Sequence, residues 1–204
     1  NRWYKYINSS IEHSKSTQLT IKYVYSGEPP DILLNQVKHV LNLTQIYHLN
    51  IEQEISINRL MQIIHLLPDL ITLKINSLSF YRSITFTNQV FPTTSSIEHA
   101  KKIKYVYLEK THKIQDIYFL MTFCPQMEYL NVECIKNKNI ELFLRNILHV
   151  INNNRYEYLR LLCIYITKAD DQMIKRLNKM IGDEKLLLDY TIHCELYNIY
   201  LKWK

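Results

Sequence analysis

Three apolar positions recur along this chain in one phrase, with spacing i, i+3, i+5. Ile46, Leu49 and Ile51 make one copy, and Leu70, Leu73 and Ile75 the next. Ile103, Val106 and Leu108, then Met127, Leu130 and Val132, then Leu159, Leu162 and Ile164 complete the series. The last residues of each phrase alternate as a strand with one buried face does. An earlier strand is predicted over residues 19–25, where Leu19, Ile21, Tyr23 and Tyr25 bring β-branched and aromatic side chains. Strand starts then fall near Ile21, Ile46, Leu70, Ile103, Met127 and Leu159, at spacings of about 25, 24, 33, 24 and 32 residues.

Between the strands the period changes to that of a helix. Asp31 is a candidate N-cap for a helix over about 32–41, after the loop Ser26-Gly27-Glu28-Pro29-Pro30. Ser56 or Asn58 can cap a helix carrying Ile57, Leu60, Met61, Ile64 and Leu67, which Pro68 ends. A short apolar helix is expected over about 114–123, stopped by Cys124-Pro125. Asn139 precedes Ile140, Phe143, Leu144, Ile147, Leu148 and Ile151, apolar at helical spacing, and residues 152–154 are expected as a turn. Asp170 and Asp171 open a last helix, with Met173, Ile174, Leu177, Met180 and Ile181 inward. Lys175, Arg176 and Lys179 are read as its basic end and Gly182 as its stop. Residues 77–98 read as a long connection, and Leu186-Leu187-Leu188, Ile192, Ile199, Leu201 and Trp203 as closing strands.

One strand and one helix cannot bury both of their apolar faces alone. Stacked side by side, such units share a core between a parallel sheet and a helix layer. The expected fold is therefore α/β, a β/α solenoid of leucine-rich-repeat type. It is read as one domain over residues 1–204, with a lead-in or cap over 1–18 and a C-terminal cap over 186–204.

Two copies carry a more specific signature: Leu67-Pro68-Asp69-Leu70-Ile71-Thr72-Leu73-Lys74-Ile75 and Cys124-Pro125-Gln126-Met127-Glu128-Tyr129-Leu130-Asn131-Val132-Glu133-Cys134. They resemble the leucine-rich repeats of F-box proteins, over roughly residues 40–170. The Ile103 and Leu159 copies lack the proline. The resemblance implies a ribonuclease-inhibitor-like arc that recruits the protein to be ubiquitinated. It also implies an F-box upstream of residue 1 that docks on the adaptor of a cullin-type ubiquitin ligase. No F-box is seen within the chain.

Composition narrows the class of function. Of 204 residues, 47% are apolar and 22% charged, values of an ordinary globular chain rather than a disordered one. Only 2 glycines are present, which argues against hairpin-rich folds and against a phosphate-cradling loop. The chain starts with Asn1 and is read as a fragment or processed product, with no signal peptide and no membrane span. Cys124, Cys134, Cys163 and Cys194 are scattered and read as reduced thiols of an intracellular protein, cytoplasmic or nuclear. The glycosylation patterns at Asn8 and Asn42 are accordingly read as chance. His39, His48 and His65 fall on different elements and predict no metal site. No catalytic motif is present, so no enzyme and no cofactor is expected.

In the phrase Leu-x-x-Leu-x-Leu the residues between apolar positions face away from the helices. The outward pairs are Tyr23 and Tyr25, His48 and Asn50, Thr72 and Lys74, Tyr105 and Tyr107, Tyr129 and Asn131, and Leu161 and Cys163. Five of these 12 are tyrosines, in a chain with 16, and the first ten are the expected partner-binding residues. Tyrosine offers large area, little rotamer entropy and a hydroxyl, as protein interfaces use it. The rival is an RNA-binding surface. Net charge is +6, and Lys101, Lys102 and Lys104 stand beside Tyr105 and Tyr107.

Overall fold

The computed structural model describes residues 18–22, 30–41, 45–79, 98–111, 113–133, 139–154, 156–167 and 169–204. Tyr23, Tyr25, Cys134, the loop at 26–29, most of the lead-in and most of the connection at 77–98 lie outside them. The chain divides into two compact units, residues 1–104 and 105–204. Both are α/β with mostly parallel strands, and neither sheet closes into a barrel.

In the first unit, β1 (Gln18–Ile21), β2 (His48–Ser56) and β3 (Thr72–Ser79) form a parallel ladder in that order. Helix α1 (Pro30–Leu41) connects β1 to β2, and α2 (Ile57–His65) connects β2 to β3. Leu19 stands beside Leu49 and Leu49 beside Leu73, all buried, so the apolar positions of three strands line up on one face. Ser56 caps α2, its Oγ accepting from the Arg59 amide at 3.4 Å. Helix α1 includes Pro30, so it starts before Asp31; proline suits a first turn because its missing N–H would have no partner there. Past Ile51, two residues of β2 oppose one of β3 in a bulge, and Asn76 donates to the Glu52 carbonyl there at 2.9 Å.

In the second unit, β4 (Tyr105–Leu108), β5 (Tyr129–Glu133) and β6 (Leu161–Tyr165) are parallel, joined by α3 (Ile114–Phe123) and α4 (Ile140–Asn154). Helix α5 (Asp171–Asp183) follows. A hairpin of β7 (Tyr190–Glu195) and β8 (Asn198–Trp203) then returns antiparallel along β6. Asn139 Oδ1 accepts from the Leu142 amide at 3.0 Å, and Asp170 Oδ1 from Met173 at 2.7 Å, so both predicted caps are made. Arg145 of α4 grips Glu184 with its Nε 2.8 and 2.9 Å from the two carboxylate oxygens. At the start of α3, Asp116 is buried and accepts from the Thr111 hydroxyl at 2.9 Å.

Three turns share one geometry. The amide of Leu70 reaches the carbonyl of Leu67 (3.4 Å), Ile103 that of Ala100 (3.1 Å), and Met127 that of Cys124 (3.0 Å). In each, the first and fourth residues are buried. Proline at the second position of two of them pre-sets the backbone for such a turn, and the copy without proline folds the same way. Cys124 is a packed wall residue, and burial pushes its thiol pKa upward, so it is held as a neutral thiol.

The β1 register pairs Gln18 with His48 and Thr20 with Asn50, while Tyr23 and Tyr25 lie outside the described residues. Several expectations are corrected. Residues 152–154 are helical, and Asn152 donates to the Leu186 carbonyl at 2.6 Å. Leu186, Leu187 and Leu188 precede the hairpin rather than forming a strand. Gly182 lies within α5; the left-handed residue after it is Lys185, at φ 50°. The last turn of α5 holds no base, and Arg176 instead approaches Glu141 of α4 at 3.5 Å. Met173 and Ile174 are only half-buried.

The hairpin turn is Leu196-Tyr197, with φ 46° and 68°. A two-residue turn between right-twisted strands wants positive φ at both positions, normally supplied by Asn-Gly. With bulky residues it is strained by roughly 1–2 kcal/mol per residue. Both side chains are exposed, at 81% and 55%, so packing does not repay the strain. Leu196→Asn with Tyr197→Gly is therefore expected to raise unfolding stability by about 1–2 kcal/mol, read as a higher urea midpoint at unchanged slope. An unchanged or lower midpoint would contradict the strained turn.

Candidate functional site

The register of β4, β5 and β6 decides which side chains share the open face. Tyr105 stands beside Tyr129 and Tyr129 beside Leu161; Tyr107 stands beside Asn131 and Asn131 beside Cys163. The intervening Val106, Leu108, Leu130, Val132, Leu162 and Ile164 are buried toward the helices. The antiparallel β8 extends both rows, placing Lys202 beside Leu161 and Tyr200 beside Cys163. His193 of β7 lies next to Tyr200, ring centroids 5.2 Å apart and nearly parallel.

The face is not flat. Tyr105, Tyr107, Tyr129, Tyr158 and Tyr200 line an open recess of about 850 Å³ together with Leu161. Glu128, Glu157 and Arg160 complete the lining. Tyr107 and Tyr129 meet edge to face at 5.4 Å, and the Tyr129 hydroxyl accepts from Asn131 Nδ2 at 3.0 Å. Tyr105 and Tyr158 are 40% and 51% exposed and stand at the mouth. Glu128 and Arg160 come from the residues before β5 and β6, where the Glu128 carbonyl accepts from both the Arg160 and Leu161 amides at 3.0 and 3.2 Å.

Cys163 departs from expectation. It occupies an outward-facing position yet is fully buried, and its thiol lies 3.6 Å from Asn198 Oδ1. A small side chain here sits in the row between Asn131 and Tyr200. Desolvation raises the Cys163 thiol pKa, and it is also the main cause that raises the Tyr129 phenol. Tyr200 is also raised, chiefly by Cys163 beside it. These three groups stay protonated near neutral pH, Tyr129 and Tyr200 as neutral phenols and Cys163 as a neutral thiol.

The remaining expected residues lie on the first unit. His48 stands beside Thr72 and Asn50 beside Lys74 across β2 and β3. His48 is exposed and the other three are half-buried. They carry no tyrosine and belong to the first unit. Tyr158, Tyr200, Glu128, Glu157 and Arg160 were not among the expected residues. Burial of Ile199, Leu201 and Trp203 alternates along β8, which marks Tyr200 as outward, so that signal was present.

The basic cluster of the rival reading is engaged. Lys101 Nζ lies 2.6 Å from Glu98, and Lys102 Nζ 3.1 Å from Asp69. Asp69 also accepts from Gln45 at 2.6 Å, and this bond, ahead of Lys102, holds its carboxyl below the usual value. Among the described residues there is no cluster of three or more metal-ligating side chains and no helix long and apolar enough to cross a membrane. No family model, curated protein or solved structure matches the chain.

A phenol pKa raised in the fold contributes stability that is complete below its unfolded value of 10.0 and is lost as pH rises through the folded one. The wild type is therefore expected to lose stability above about pH 10 more steeply than Tyr129→Phe. Urea midpoints at neutral and alkaline pH measure it; parallel losses in both proteins would contradict a desolvated Tyr129.

Proposed function

We propose that the chain is a protein-recognition module built on leucine-rich-repeat-like β/α units stacked as a solenoid, with the tyrosine face of β4–β6 as its recognition surface. The observation that carries the reading is the recess itself: five tyrosine rings are gathered on the side of the sheet turned away from the helices. Large, rigid rings with a polar tip are what a protein interface uses for its anchors. The solenoid reading draws support from repetition. The Tyr47 carbonyl accepts from Ile71 and Thr72 as the Glu128 carbonyl accepts from Arg160 and Leu161, and one buried turn recurs at Leu67, Ala100 and Cys124.

On the resemblance to F-box repeats, the module is the recruiting arm of a cullin-type ubiquitin ligase subunit, in the cytoplasm or nucleus, and its partner is the protein to be modified. That step rests on the Leu67-Pro68 and Cys124-Pro125 copies alone. The RNA reading is weaker, because Lys101 and Lys102 are paired with carboxylates. No catalytic or cofactor role is part of the proposal.

The test is a pull-down comparing wild type with Tyr105→Ala/Tyr129→Ala, with circular dichroism confirming that the variant remains folded. Retention of specific protein partners is expected to fall by roughly tenfold or more, with modest dependence on salt. Undiminished retention of every partner, or binding to single-stranded RNA that falls steeply with salt, would overturn the reading.

A further inference from the structure

We propose that two copies of the chain pair through the free edge of β7, antiparallel and about a two-fold axis at Ile192. In an antiparallel ladder each residue turns both backbone groups to one neighbouring strand, and successive residues alternate sides. The Lys204 amide donates to the Asp189 carbonyl at 3.3 Å, and the Trp203 amide turns the other way, to the Arg160 carbonyl at 3.1 Å. The unbroken register of β7 on β8 carries that alternation along the strand. Thr191, His193 and Glu195 therefore bond to β8, while Tyr190, Ile192 and Cys194 turn their amides and carbonyls outward. Among the described residues no strand pairs with that edge. Sheet edges are ordinarily guarded by lysine, proline or a bulge. Residues 190–194, Tyr-Thr-Ile-His-Cys, hold no lysine or proline, and their register on β8 shows no shift.

The occupant follows from the strand's fit to its own reverse. With the axis at Ile192, Tyr190 meets Cys194 of the second copy, Ile192 meets its equivalent, and Cys194 meets Tyr190. Every outward-turned residue of one edge is then bonded by an outward-turned residue of the other. An axis at Thr191 or His193 would instead set Cys194 against Leu188 or Tyr190 against Leu196, both outside the strand. Tyr190, Ile192 and Cys194 are only half-buried, on the face where Ile199, Leu201 and Trp203 of β8 are buried. The second copy's Ile192 extends that covered face past the edge. At each end Leu188, 94% exposed, falls opposite Leu196, also exposed in the single chain. Asp189 falls opposite Glu195, a like-charge meeting that Lys204, 3.0 Å from Asp189, offsets. The pairing uses up the edge on both copies, so assembly closes at two. A contact of one short strand per copy is small, so the dimer is weak and depends on concentration.

Sedimentation velocity of the whole chain from micromolar to millimolar concentration reads the association, and amide hydrogen exchange reads the edge. A monomer–dimer equilibrium is expected, in which the amides of Tyr190, Ile192 and Cys194 slow as dimer forms, while those of Thr191 and His193 are protected at every concentration. Thr191→Lys puts a charge on the edge without removing a backbone bond, and is expected to abolish the dimer with an unchanged circular dichroism spectrum. Ile192→Cys is expected to give a disulfide-linked dimer on mild oxidation, because the axis sets residue 192 against itself; Cys194, which faces Tyr190, is expected to form no link with its equivalent. Monomer across the whole range would overturn the proposal and leave the edge to a strand of a different protein. A dimer that survives Thr191→Lys with the Ile192 amide still exchanging freely would place the contact elsewhere and overturn it too. The pairing is tested separately from the tyrosine recess, since Tyr105→Ala/Tyr129→Ala leaves β7 unaltered.

Discussion

Register is the constraint on which the structure depends, and a buried turn sets it. At Leu67–Leu70, Ala100–Ile103 and Cys124–Met127 the chain leaves a helical segment and enters the approach to a strand through the same hydrogen-bonded turn, with two buried residues as its anchors. Side chains of a strand alternate between faces, so a slip of one residue would exchange core and surface along its whole length. Anchoring the turn in the core excludes that slip. Val106 and Leu130 then go inward, and Tyr105 and Tyr129 outward.

The same constraint explains why polar groups are spent where they are. Each described helix opening identified as capped uses a residue placed before it, Ser56, Asn139 or Asp170, leaving the apolar stripe intact. The Tyr47 and Glu128 carbonyls each take two amides from the next strand's approach, tying β2 to β3 and β5 to β6 before each ladder begins. At the far side the parallel ladder of the second unit ends on an antiparallel hairpin. Tyr190 ties that hairpin to α5 through Asn178, at 2.8 Å to its Oδ1. The hairpin also contributes Tyr200, so the element that covers β6 builds part of the recess.

Much of this was legible in the sequence, for physical reasons that can be stated. The phrase i, i+3, i+5 marks a turn anchor followed by two inward strand positions, and it located the starts of β2 through β6 to within about two residues. Helices with polar caps and a 3.6-residue period were equally visible. What stayed hidden had no local signal. Residues 19–25 offer β-forming side chains throughout, so nothing local fixed which of them pairs with β2. Leu196-Tyr197 turns at positive φ without glycine or asparagine, and Lys185 takes the left-handed position that Gly182 was expected to mark. The rim of the recess comes from the approach segments and from β8, which the outward-pair rule for a single phrase does not reach.

The central claim is that parallel pairing of β4, β5 and β6 puts these tyrosines on one open face. Inter-strand nuclear Overhauser effects measure it most directly. Backbone contacts joining Tyr105 to Tyr129, Tyr129 to Leu161 and Tyr107 to Asn131 are the result expected. Contacts joining Tyr129 to Val106 instead would mean a slipped register and would contradict the account.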